Sequence, residues 1–104
     1  MAGKLILVAS LWLKDNDVAG FEEFERRAAA VMARHGGRIE RAIRVDRATA
    51  PADAPFEIHV VSFPDRAAFD AYRTDPATQA LAPQREAVIA RTAVLFGKDA
   101  VPYG

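Results

Sequence analysis

Cysteine is absent from the 104-residue chain, which removes disulfides, thiolate nucleophiles and cysteine-ligated metal centres. Net charge is absent too, because 14 basic residues balance 14 acidic ones. No long-range field therefore draws in nucleic acid or an anionic membrane, and neither is expected as a partner. Long hydrophobic runs are also missing. The segment Leu5 to Leu13 is too short to span a bilayer, and MAGKLILVASLWLK lacks a charged leader followed by a small-residue cleavage site. A cytoplasmic protein is the expectation. Histidine occurs only twice, at His35 and His59, with no third ligand at metal-binding spacing and no HExxH pattern, so neither a metal nor another cofactor is expected. Ser10 and Ser62 lie within strand patterns, with no nucleophile elbow around them. Gly36-Gly37 closes a helix rather than opening one, which excludes a phosphate loop.

What is present is a single domain, residues 1–104, large enough for one core. The stretch FEIHVVSFPDRAAFDAYRTDP, from Phe56 to Pro76, is its centre. Phe56, Ile58 and Val60 alternate with Glu57, His59, Val61 and Phe63, which predicts a strand with little solvated face. Pro64 ends that strand, Asp65 suits a helix cap, and Phe69 and Tyr72 share one helical face. Asp75-Pro76 closes this helix and opens a further turn.

The first strand is predicted over Lys4–Lys14. Leu5, Leu7, Ala9, Leu11 and Leu13 form one face, and Ile6, Val8, Ser10 and Trp12 the other, both wanting burial. After the Asp15-Asn16-Asp17 cap cluster, Phe21, Phe24, Ala28, Val31 and His35 follow helical spacing, with Glu25 among the residues filling the remainder. Gly36-Gly37 ends this helix. Arg38–Val45 reads as an edge strand with one polar face, and residues 46–55 as a hairpin loop. The series Arg38, Arg41, Arg44, Arg47 splits between faces and reads as a solvated edge. Residues 77–90 read as a helix interrupted at Pro83, residues 92–97 as the final strand, and residues 98–104 as a tail, either frayed or laid on a neighbouring chain.

The order strand, helix, strand, strand, helix, strand predicts an α+β ferredoxin-like βαββαβ sandwich, with both helical regions on one side of an antiparallel four-stranded sheet. Its other face would be open, yet the first and third strands are apolar on both sides. A homodimer with sheets face to face is the expected resolution.

HGGR at His35 to Arg38, VVSFPDRAAFDAYRTDP from Val60 and the later Arg85 resemble the dimeric α/β-barrel superfamily. The likeness is nearest to its domain-of-unknown-function branch numbered thirteen-thirty, and more distant to antibiotic-biosynthesis-monooxygenase-like barrels. The loop DRATAPADAP departs from the glycine-rich turn associated with that branch. The resemblance implies a dimeric α/β barrel with a cleft between sheet and helices that holds a small organic ligand.

Within that frame, the cleft of a cofactor-independent monooxygenase- or isomerase-like enzyme would be lined by His59, Trp12, Tyr72 and Arg73. His59 would accept a proton and Arg73 stabilise an oxyanion, with Tyr72 and Trp12 as stacking walls. Each has a structural reading beside it: His59 as a hydrogen-bonded core histidine, Trp12 as an apolar anchor, and Arg73 as an ion-pair partner. His35 reads as a polar group at a helix C-terminus or as a ligand contact, and Arg85 as an ion-pair partner or a carboxylate clamp. The alternative function is a non-catalytic small-molecule binding module. Haem chemistry is disfavoured because the second-half helices carry no histidine. RNA-recognition modules share the element order, but PFEIH lacks their Arg/Lys-Gly-aromatic signature.

Overall fold

A computed structural model describes residues 3–104. Strand β1 (Leu5–Leu13) is followed by helix α1 (Val18–Ala33), then β2 (Arg38–Arg44) and β3 (Glu57–Phe63). Three short helices, α2 (Arg66–Thr74), α3 (Pro76–Ala80) and α4 (Ala82–Val88), lead into β4 (Ile89–Gly97). The sheet is antiparallel in the order β2-β3-β1-β4. The polar-faced β2 is thus an edge, and the doubly apolar β1 and β3 lie inside, as their alternation requires.

Sequence chemistry fixes each boundary near the site. The Asp17 carboxylate accepts the Gly20 amide at 2.9 Å and caps α1, after Asp15 and Asn16 turn the chain through left-handed conformations. Phe21, Phe24, Ala28 and Val31 recur three or four apart and are the buried stripe of α1. Asp65 caps α2 through the Ala68 amide at 2.8 Å. Asp75 caps α3 through the Ala77 amide at 2.8 Å, with Pro76 next to it.

Two boundaries differ from the sequence reading. The helical break falls at Leu81 rather than at Pro83, which lies in the first turn of α4. Pro83 has no amide to donate to the carbonyl four residues back, so the turn before it is released. Strand β4 also starts earlier, at Ile89, which pairs with Leu13 and joins the core of Leu11, Phe21, Phe24, Ala28 and Val88.

The two glycines after α1 have separate jobs. Gly36 adopts a positive φ of 72°, a conformation that favours glycine. Gly37 passes so close to the Phe63 ring that a Cβ there would collide with it. Phe63 is only 1% exposed and packs against Phe69 and Tyr72, with centroids 5.3 and 5.5 Å away. Gly37→Ala is therefore expected to destabilise the fold by about 1–3 kcal/mol, as overpacked cores do. Chemical denaturation against the wild-type chain measures this directly.

The helices cover the sheet unevenly. They bury Leu7 and Leu11 of β1 and the odd-numbered side chains of β3 but leave Val94 and Phe96 of β4 41% and 49% exposed. On the opposite face, Val8, Ile43 and Leu95 are exposed at 37%, 43% and 72%. No helix among the described residues is long and apolar enough to cross a membrane.

Candidate functional site

Between the helices and the sheet lies a cavity of about 430 Å³. Its floor is Leu7, Ala9 and Leu11 of β1, and Phe24, Ala28 and Met32 of α1 form much of its roof. Ala9 matters most for its size. It pairs in register with His59 and leaves the space into which the cavity extends. The mouth opens where β4 is uncovered, beside the exposed Arg73, Gln79 and Arg85.

One end of this apolar space is polar. His59, on the same side of β3 as Val61 and Phe63, is 4% exposed. Its Nε2 lies 2.6 Å from Glu57 Oε2, and its Nδ1 lies 3.8 Å from Glu25 Oε2. Three titratable groups from two elements thus converge, Glu25 from α1 and Glu57 and His59 from β3. Burial pushes the Glu25 carboxyl above the usual glutamate range, opposed by the charge of His59 and reinforced by Glu57. Burial likewise raises the Tyr72 phenol, and Glu25 adds to that shift. Tyr72 therefore keeps its proton and can donate a hydrogen bond into the cavity. Arg85 donates to the Thr92 hydroxyl, and neither it nor Arg73 forms an ion pair among the described residues. The buried hydroxyl of Thr78, also lining the cavity, has no hydrogen-bond partner. Among the described residues, no group of His, Asp or Glu is arranged to hold a metal ion.

The structure brings together four of the six residues singled out by sequence. His59, Tyr72, Arg73 and Arg85 all line the cavity. Trp12 does not. The alternation of β1 carries it to the opposite sheet face, where its Nε1 donates to the Asp53 carbonyl at 2.9 Å and Arg91 stacks 4.3 Å over its ring. His35 is also outside the cavity. Its Nε2 lies 2.8 Å from Asp75 Oδ2, tying the end of α1 to the α2–α3 junction and holding the Asp75 carboxyl below its usual range. Arg73 packs on Phe69, 5.6 Å from the ring centroid, and does not form the ion pair of its structural reading.

Two carboxylates beside His59, Glu57 and Glu25, are not among the residues singled out by sequence. Glu57 shares the period-two phase of His59, and Glu25 is one helical turn beyond Phe21 and one before Ala28. Each phase carries the signal, since a charge set among apolar residues on an inward face needs a buried partner.

Glu25 also makes the site costly. Its raised pKa means the folded chain binds a proton more tightly than the unfolded chain does. The contribution of this group to stability is complete below the ordinary glutamate range and falls as pH rises through the raised value. Glu25→Gln is accordingly expected to match wild type in acid and to exceed it at neutral pH by a few degrees in Tm. About 1 kcal/mol corresponds to about 4–8 °C in a domain of this size. Thermal unfolding across pH 4–8 (about the range in which a raised glutamate titrates) checks the sign.

Residues 7–98 match the profile of a family described as "Domain of unknown function (DUF1330)". Among solved structures, a protein of unknown function from Rhodopseudomonas palustris superposes with a TM-score of 0.80 at 18% identity, covering 98% of this chain and 86% of that one. SnoaB, a cofactor-independent oxygenase from Streptomyces nogalater, gives 0.68 at 18% identity, covering 98% and 100%. A dabb family protein with a ferredoxin-like fold from Mesorhizobium loti gives 0.64 at 20% identity, covering 99% and 100%. These likenesses establish the ferredoxin-like fold. No curated protein matches the chain.

Proposed function

The chain belongs to the DUF1330 family, and from that premise we propose that it is a homodimeric, cofactor-independent enzyme that moves a proton on an enolisable or phenolic small molecule. The observation that carries this reading is His59 and Glu25 at one end of a cavity with an aliphatic and aromatic floor and roof and a polar mouth, with Glu57 hydrogen-bonded to His59 from behind. A cavity of a few hundred cubic ångströms with a few converging polar groups suits a small, mostly apolar ligand. His59 takes the proton, and Glu57 orients its ring. The Tyr72 hydroxyl and the Arg85 guanidinium flank the oxygen on which negative charge develops. Arg73, at the mouth, adds a second cation for a ligand carboxylate.

SnoaB is described as a cofactor-independent oxygenase. In such chemistry, deprotonation would supply the electron-rich carbon, with dioxygen as the oxidant. The proton-transfer step is common to that route and to simple isomerisation.

The test is deuterium incorporation into 1-tetralone and 2-tetralone in D₂O, followed by NMR with and without protein. Incorporation above the buffer rate, lost on substitution of His59, is the expected result. A ketone that binds without accelerated exchange would overturn the catalytic reading, and the cavity would then be that of a binding module.

The dimer forms through the exposed sheet face. In register across it, Val8 neighbours Val60 and Leu95, and Ile58 neighbours Ile43, giving a continuous apolar centre. Lys4, Glu40 and Ser62 supply a hydrogen-bonded polar corner. An apolar centre with a polar margin is the ordinary composition of a stable interface.

A further inference from the structure

The Glu25–His59–Glu57 cluster faces two spaces. Glu25 and His59 line the main cavity, whereas Glu25 and Glu57 line a second groove behind it, between α1 and β2. That rear groove is walled by Phe21, Ala29, Ile39 and Arg44. His59 lies between the two spaces, its side chain only 5% exposed. Glu57 presents one oxygen to His59 at 2.6 Å and the other to Arg44, at 3.1 Å from Nε and 2.9 Å from Nη2. Arg44 is 46% exposed and also reaches Glu22 at 3.2 Å. A continuous polar path thus runs from the cavity through an imidazole and a carboxylate to the solvent on the other side of α1.

The front of the cavity offers no equivalent route once it is filled. Its apolar walls include Ala9, Leu11 and Phe24, which have no exchangeable side-chain proton. The one carboxyl it presents to His59, Glu25, lies 3.8 Å away, beyond direct hydrogen-bond reach. A ligand occupying the mouth would cut His59 off from bulk water there. Burying two carboxylates beside a histidine is also expensive, and apolar residues would pack the same space at less cost. A carboxylate hydrogen-bonded to a buried histidine on one side and to a half-exposed arginine on the other is better explained by a task than by packing.

We propose that Glu57 relays protons between His59 and solvent in the groove between α1 and β2, so that the reaction cavity exchanges protons from the rear while its front is occupied. This rests on the reading of His59 as the proton acceptor. In the outward step a proton taken up at Nδ1 makes the imidazolium, whose Nε2–H passes its proton to Glu57 Oε2, and the carboxylic acid releases it to groove water. In the inward step a proton returns through Glu57 to Nε2 and Nδ1–H is given back to the cavity, which restores the base. Arg44 stays protonated throughout, its guanidinium holding Glu57 Oε1 in place. The charged and titratable groups facing this path are Glu22, Glu25 and Arg26 of α1, Arg44 of β2, and Tyr72 and Arg85 through Glu25. Glu57 touches no substrate and acts through His59.

The test measures exchange of the His59 ring N–H with solvent by ¹⁵N-edited NMR on the full chain. Glu57→Gln removes the relay, Ala29→Leu crowds the rear groove, and Val94→Trp narrows the front mouth. The rear variants are expected to slow exchange by about tenfold or more, and Val94→Trp to leave it within about twofold. Slowing by Val94→Trp with neutral rear variants would overturn the proposal, as would equal slowing by all three or by none. If Glu57→Gln fails to fold, Ala29→Leu leaves every ion pair in place and decides alone. No substrate is needed. A protein inactive on tetralones can therefore still exchange from the rear, and an active one exchanging from the front would refute the relay alone.

Discussion

His59→Gln is expected to lower the rate of tetralone deuteration by about 10²–10⁴-fold, the usual worth of a positioned general base. Glutamine keeps a hydrogen-bonding group near Glu57 but has no titratable nitrogen. Binding should hardly change, because in the proposed reading most of a ligand's contact would be with the aliphatic floor and the Phe24 side of the cavity. The signature is thus a fall in kcat with KM nearly constant, which marks an interaction made in the transition state. A purely structural histidine would behave otherwise. Its loss would lower Tm and raise KM together, and the remaining folded protein would turn over normally. Steady-state NMR kinetics with a circular-dichroism check of folding separate the two. A rate within threefold of wild type would remove His59 from the chemistry, a threefold change being well under 1 kcal/mol.

The fold was legible because its signals are local and redundant. Alternation over Leu5–Leu13 and Phe56–Phe63 and the stripe from Phe21 to Val31 each named an element. Asp17, Asp65, Asp75 and Gly36 then marked where those elements end. Position in a strand also foretold that His59 would face the helices with Val61 and Phe63. The site was less legible because it depends on phase relations between elements distant in sequence. Glu25 and His59 are brought together by α1 crossing β3, and no spacing within either segment announces that contact. Trp12 shows the opposite failure. Its chemistry suggested a cleft wall, whereas the alternation of its own strand had already placed it on the other side of the sheet. Where residue type and phase disagree, phase decides, because a one-residue change of face would move every neighbour with it.

Phase also predicts the largest change in assembly. Val8→Glu is expected to convert a dimer into a folded monomer. Val8 sits at the middle of the open sheet face, with Val60 and Leu95 in register beside it. In the isolated chain it is 37% exposed, so a carboxylate there can reach water and the monomer should tolerate it. Across a two-fold axis the same substitution places two like charges in an apolar interface. An uncompensated buried charge costs about 3–5 kcal/mol. One such charge already weakens a dimer by about a thousandfold, since about 1.4 kcal/mol is a factor of ten. Sedimentation velocity of wild type and Val8→Glu at the same concentration reads the outcome. A wild-type chain that sediments as a monomer would remove the interface, and the apolar row of Val8, Val60 and Leu95 would then require a different partner. A dimer that survives Val8→Glu would place its interface elsewhere, most readily along the exposed β2 and β4 edges where unpaired backbone groups remain. Because the cavity lies on the helical face, the isolated monomer should retain ligand binding. That would separate assembly from chemistry within one variant.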